Sequence, residues 1–176
     1  MTGFTLLLAL VITRLLGGLR WTIDIHRVYW VHLLHVVNLL VITSLVWWAL
    51  WFQRNTTWTY LSFAYNLLIG PGIMYFLAVL LVPERPRRIK SWRDYFYRIH
   101  ILYYGAMLGL VLAALAGSLL ITQTPLFHPT QGVIFLGLFL SLTGLVSKNH
   151  NVHAILALTM SALVVFSVVL ASNSSF

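Results

Sequence analysis

The chain has 176 residues, 60% hydrophobic and 8% charged, with a mean hydropathy of +0.91. Water-facing domains carry about 25% charged residues, so lipid must solvate most of this chain. A soluble domain is excluded, and the net charge of +8 is a membrane-surface feature, not a nucleic-acid footprint. Cysteine is absent, which removes disulfides, thiolate metal sites and a cysteine nucleophile.

Six apolar runs are long enough to cross roughly 30 Å of hydrocarbon: Thr2–Leu19, Val28–Phe52, Tyr60–Val82, Ile101–Thr122, Gly132–Ser147 and Ala154–Ser172. They are continuous, not alternating, so helices satisfy the backbone in lipid. The predicted fold is all-α: one domain over residues 1–176, an integral membrane bundle of six transmembrane helices.

The first run opens Met1-Thr2-Gly3-Phe4 without a positive flank, which predicts a retained helix, not a cleaved signal peptide. Arg14, late in this run, is placed to snorkel toward the nearer surface. The second run carries His32, His35 and Asn38 at three-residue steps, with Thr43 continuing the stripe. These share one helical face, which must look into the bundle because polar groups facing lipid are costly. The third run contains Ile69-Gly70-Pro71-Gly72, where the missing proline N–H predicts a kink or break.

The segment Pro83–Arg98 interleaves Arg85, Arg87, Arg88, Lys90, Arg93 and Arg98 with Ile89, Trp92, Tyr95, Phe96 and Tyr97. That mixture suits a head-group layer, so Arg85, Arg87, Arg88, Lys90, Trp92 and Arg93 are candidate contacts to anionic lipid. The fourth run holds Gly105, Gly109, Ala113 and Gly117 four residues apart, a column that lets another helix approach closely. Gly137, Ser141 and Gly144 form a similar face in the fifth. His150 and His153 open the sixth.

Lys and Arg excess marks the cytoplasmic side. With six spans, Arg20, Arg27, the basic residues of Pro83–Arg98 and Lys148 fall on one side, and Arg54 on the other. The basic loops are therefore expected to be cytoplasmic and both termini outside. Belts of Trp47, Trp48, Trp51 and Trp58 at one interface and Trp21, Trp30, Trp92 and Tyr95 at the other fit these boundaries.

Every histidine except His128 lies where an apolar run meets a basic loop: His26, His32, His35, His100, His150 and His153. His32, His35, His100 and His153 are the candidate cofactor-binding residues. The strings His32–His35 and His150–His153 offer imidazoles at i and i+3, a spacing that can hold a metal ion. Two of the four from different helices offer the axial ligands of a b-type haem, with Arg14 or Arg27 near its propionates. The acidic residues are only Asp24, Glu84 and Asp94, so no carboxylate-driven ion cycle has a carrier inside the membrane. No G-x-S-x-G elbow, mid-span lysine or phosphate-binding glycine loop is present. The sequons Asn55-Thr56-Thr57 and Asn173-Ser174-Ser175 read as chance matches in polar tails.

The leading functional expectation is an accessory or structural membrane subunit, or a homo-oligomer, packed through small-residue faces, with anionic lipid and other membrane subunits as partners and no nucleic acid. A haem or metal protein using the four histidines is the alternative, with the cofactor itself unspecified, and a channel or transporter comes third. Orientation is directly testable in this cysteine-free chain. A single cysteine replacing Ile89 is expected to stay unlabelled by an impermeant thiol reagent in intact cells; labelling there would invert the topology.

Overall fold

The computed structural model describes residues 2–24, 28–52, 57 and 59–173. His26, Arg27, Arg54, Trp58 and most of both sequons lie outside the described residues. Six helices among those described are long and apolar enough to cross a membrane, and no strand occurs among them. The helices are α1 (Thr2–Thr22), α2 (Trp30–Phe52), α3 (Tyr60–Ala64), α4 (Gly70–Leu81), α5 (Trp92–Leu120), α6 (Pro129–Val146) and α7 (His150–Asn173). A π-helical turn, Tyr65–Ile69, joins α3 to α4, so these two make one span.

The helices close into a ring in which α1 packs on α2, α2 on α7, α7 on α6, α6 on α5, α5 on α4 and α4 on α1. Helix α2 also touches α4 and α5, so it stands toward the middle. Its predicted polar stripe is accordingly buried: His32, His35, Asn38 and Thr43 are all enclosed. Thr43 returns its hydroxyl to the Leu39 carbonyl at 2.7 Å, which satisfies it within its own helix.

Of the kink or break that Gly-Pro-Gly predicts in the third run, the break does not occur: the helix continues through it with a π-helical turn. Proline clashes with the carbonyl four residues before it and offers no N–H. The chain absorbs this by widening the preceding turn into a π-helix, and Pro71 then sits in the first turn of α4. The Tyr65 hydroxyl, at the start of the widened turn, donates to the Ala113 carbonyl of α5.

The fourth span begins nine residues earlier than its apolar run, at Trp92 rather than Ile101. Ser91 caps it, its hydroxyl accepting from the Asp94 N–H at 3.3 Å. The added turns are amphipathic. Trp92, Phe96 and His100 face inward, while Arg93 and Arg98 are exposed. Trp92 is therefore a correction to the expected head-group contacts: it is 1% exposed, and its indole N–H donates to the Trp21 carbonyl at 2.9 Å. Arg85, Arg87, Arg88, Lys90 and Arg93 are exposed.

The small-residue column of α5 is used only in part within the chain. A Cβ at Gly117 would lie 3.2 Å from the Tyr65 ring, and one at Gly105 would meet only Leu145 at 3.8 Å. Gly109 has nothing within 4 Å and lines a groove of about 760 Å³ between α4 and α5, with Gly72 on the opposite wall. The face on α6 is closed instead. A Cβ at Gly144 would overlap the Tyr104 ring, and one at Gly137 would meet Val111 at 3.4 Å.

Gly144→Ala is expected to lower stability by about 1–3 kcal/mol through overpacking, read as a fall in the detergent melting temperature. Gly109→Leu is expected to leave that temperature unchanged, since its side chain enters open groove. A loss at Gly109 equal to that at Gly144 would contradict the open groove.

Candidate functional site

Helices α2, α5 and α7 all start at the basic end of the bundle, and each brings histidine inward within its first turns. His32, His35 and His153 are fully buried, and His100 is 7% exposed. On α5, Trp92, Phe96, His100, Tyr103 and Met107 recur at helical spacing and are all buried, so one face of this helix is a ladder of rings. Phe96 is its hub. The ring lies stacked on His35, with centroids 5.4 Å apart, and edge-on to His153 at 5.6 Å.

A continuous run of hydrogen-bond distances crosses three helices. Tyr103 Oη lies 3.1 Å from His35 Nδ1, and His35 Nε2 lies 3.3 Å from Tyr104 Oη. Tyr104 Oη lies 3.3 Å from His153 Nδ1, and His153 Nε2 lies 3.0 Å from the Ser147 carbonyl. For neutral imidazoles one end fixes every proton, because a carbonyl only accepts and an imidazole then has one donor and one acceptor. His153 Nε2–H donates to Ser147, so its Nδ1 accepts the Tyr104 O–H. The Tyr104 oxygen accepts His35 Nε2–H, and His35 Nδ1 accepts the Tyr103 O–H. The result is a directed chain from α5 through α2, back to α5, and through α7 to the α6–α7 turn.

The other histidines point elsewhere. His32 Nε2 donates to the Leu81 carbonyl at 3.0 Å, and its ring stacks on Trp92 with centroids 4.8 Å apart. His100 Nδ1 donates to the Tyr97 carbonyl at 2.6 Å, and its ring meets His153 edge-on at 5.4 Å. His150 Nδ1 lies 3.0 Å from Tyr29 Oη and 3.3 Å from Tyr97 Oη. Burial, reinforced by the hydrogen bond with Tyr97, pushes the Tyr29 phenol above its ordinary value. His128 caps α6 at the opposite end, its Nδ1 accepting from the Thr130 N–H at 3.3 Å.

The structure thus gathers His35 and His153 around Phe96 and the tyrosines, with His32 stacked on Trp92 and edge-on to Phe96 at 6.1 Å, and His100 reached through the rings of Tyr97 and His153. Neither H-x-x-H string directs its nitrogens to one focus, because the two members of each string have different hydrogen-bond partners. Among the described residues no three His, Asp or Glu converge as metal ligands. His32 Nδ1 and His100 Nε2 are buried without a hydrogen-bond partner, and they abut different ring neighbours. The sequence reading missed Tyr29, Tyr97, Tyr103 and Tyr104. The ladder spacing of α5 carried the signal for Tyr103, but nothing local marked the other three as histidine partners.

The chain matches no family model, no curated protein and no solved structure.

Tyr104 is the joint of the directed chain. Tyr104→Phe leaves His35 Nε2–H and His153 Nδ1 buried without partners, at about 1–3 kcal/mol, so a clear fall in melting temperature is expected. Tyr75→Phe, at a half-exposed phenol, serves as the control. Equal effects of the two substitutions would rule out the chain as a stabilising element.

Proposed function

We propose that the protein is an accessory or structural membrane subunit, assembling with copies of itself or with other membrane subunits through its small-residue faces. The observation that carries this reading is the glycine-walled groove between α4 and α5. Gly72 and Gly109 line it, and a Cβ on either would meet nothing within 4 Å. Close backbone approach is how membrane helices associate where lipid tails are as apolar as the side chains. The polar interior supports the same reading. Most of its imidazole and phenol groups bond to one another or to carbonyls, which ties helices together.

In this reading the basic loops face the cytoplasm and anionic lipid, and both termini lie outside, following the distribution of Lys and Arg. A second reading, a haem or metal protein, draws on the lone pairs of His32 Nδ1 and His100 Nε2. Their separate surroundings favour the first.

Native mass in mild detergent separates the readings. The wild type is expected as an oligomer or in complex with another membrane protein, and Gly109→Leu is expected to dissociate it into folded monomers. A wild-type monomer that purifies with a Soret band or stoichiometric metal, lost on substituting His100, would replace the assembly reading with the cofactor one.

A further inference from the structure

Between α1 and the turn Pro86–Arg88 lies a cleft of about 700 Å³ lined by Arg14, Arg20, Arg85, Arg87 and Arg88, with Glu84 as its one carboxylate. Apart from Thr13, the rest of its wall is apolar or aromatic, reaching Leu10 and Tyr75. From Arg20 to Leu10 helix α1 descends about 15 Å at 1.5 Å per residue. The cleft therefore runs from the basic end into the hydrocarbon, charged at its mouth and apolar at depth.

Three features build it. Gly18 lies against Val82, where a Cβ would overlap the valine side chain, so α1 and the end of α4 meet tightly and form the back wall. The adjacent Gly17 has nothing within 4 Å of its Cβ position and opens onto the cleft. At the mouth, the Arg20 and Arg87 guanidinium groups both lie over the Trp21 indole, 4.7 and 4.8 Å from its centroid. Deeper in, Arg14 Nε donates to the Val82 carbonyl at 2.8 Å, while its Nη2 is buried without a partner.

We propose that this cleft is a specific site for an anionic phospholipid, its phosphate held by Arg14, Arg20 and Arg87 and one acyl chain lying along α1 toward Leu10. Guanidinium forks suit phosphate oxygens. Inorganic phosphate shares that chemistry but has no use for the apolar depth, and this decides for lipid. The proposal deepens the reading that the basic end meets anionic lipid, replacing a diffuse attraction with a pocket to which α1 contributes as much as the loop.

The test is native mass spectrometry of the full chain in detergent, titrated with phosphatidylglycerol, with phosphatidylcholine, and with phosphatidylglycerol in the presence of millimolar inorganic phosphate. The wild type is expected to retain one phosphatidylglycerol in preference to phosphatidylcholine, undisplaced by phosphate. Arg20→Gln and Arg87→Gln, both at exposed side chains, are each expected to weaken retention about five- to tenfold. Arg14→Gln is expected to do the same where its melting temperature shows that it folds. Lys148→Gln, at an exposed side chain of the same basic end but outside the cleft, is expected to change retention less than about twofold. Equal losses from all the basic variants would overturn the site while leaving diffuse head-group attraction standing. Displacement by phosphate would overturn the lipid assignment. No preference for phosphatidylglycerol in the wild type would remove both the site and the broader reading.

Discussion

Hydrocarbon offers no hydrogen bonds, so a polar group that this chain carries into the membrane is costly unless it finds a partner in the chain itself. The run from Tyr103 through His35, Tyr104 and His153 to the Ser147 carbonyl answers that constraint, and much of the bundle is arranged around it. It needs α2, α5 and α7 to start at the same end and at matching depth. It needs Tyr104 to reach between His35 and His153, and the bare backbone of Gly144 on α6 makes room for that ring. It needs Phe96 flat against His35 to exclude other acceptors. Removing any one of these would leave a donor or acceptor stranded where nothing replaces it.

What the sequence revealed followed from patterns contained within single helices. Hydropathy alone located the spans, because continuous apolar runs admit few other solutions. Three-residue steps put His32, His35 and Asn38 on one face, and the need to hide that face from lipid put it inside. The boundary before Ile101 was misplaced because a hydropathy reading sees Arg93, Asp94 and Arg98 and stops. Helical periodicity through Trp92, Phe96, His100 and Tyr103 continues across them. Partners were illegible for a different reason. Which tyrosine meets which histidine depends on the helix across the way, and residues such as Tyr104 and His153 are separated by 49 positions. The glycine column shows the same limit from the other side: spacing marked four small residues, but only the ring order decided that Gly117 meets Tyr65 while Gly109 stays open.

The two ends of the bundle differ in kind. At the basic end, aromatic rings, imidazoles and backbone carbonyls interlock, with Trp92 bonded to Trp21, Arg14 to Val82 and Tyr95 to Leu80. Toward the other end α5 and α6 are bridged by smaller polar contacts, such as the Gln131 side-chain N–H donating to the Ser118 hydroxyl at 3.0 Å. Order in the polar network is therefore concentrated next to the arginine-lined cleft, and the open groove runs alongside the same stretch of α5, from Arg98 to Gly109.

The π-helical turn between α3 and α4 acts as a phase shifter. It places one extra residue in a helix that would otherwise advance about 100° per position, so everything before Tyr65 is rotated by about that angle relative to everything after Ile69. The Tyr65 hydroxyl reaches the Ala113 carbonyl across that offset. Deleting one residue from Tyr65–Ile69 would restore an ordinary helix, yet swing the tyrosine away from α5 and turn the Tyr60 end of the span onto a new face. Conversely, the span can gain or lose a residue here without shortening its reach across the membrane appreciably. The proline that looks like a breaker thus marks the place where the two halves of one span are set in register independently.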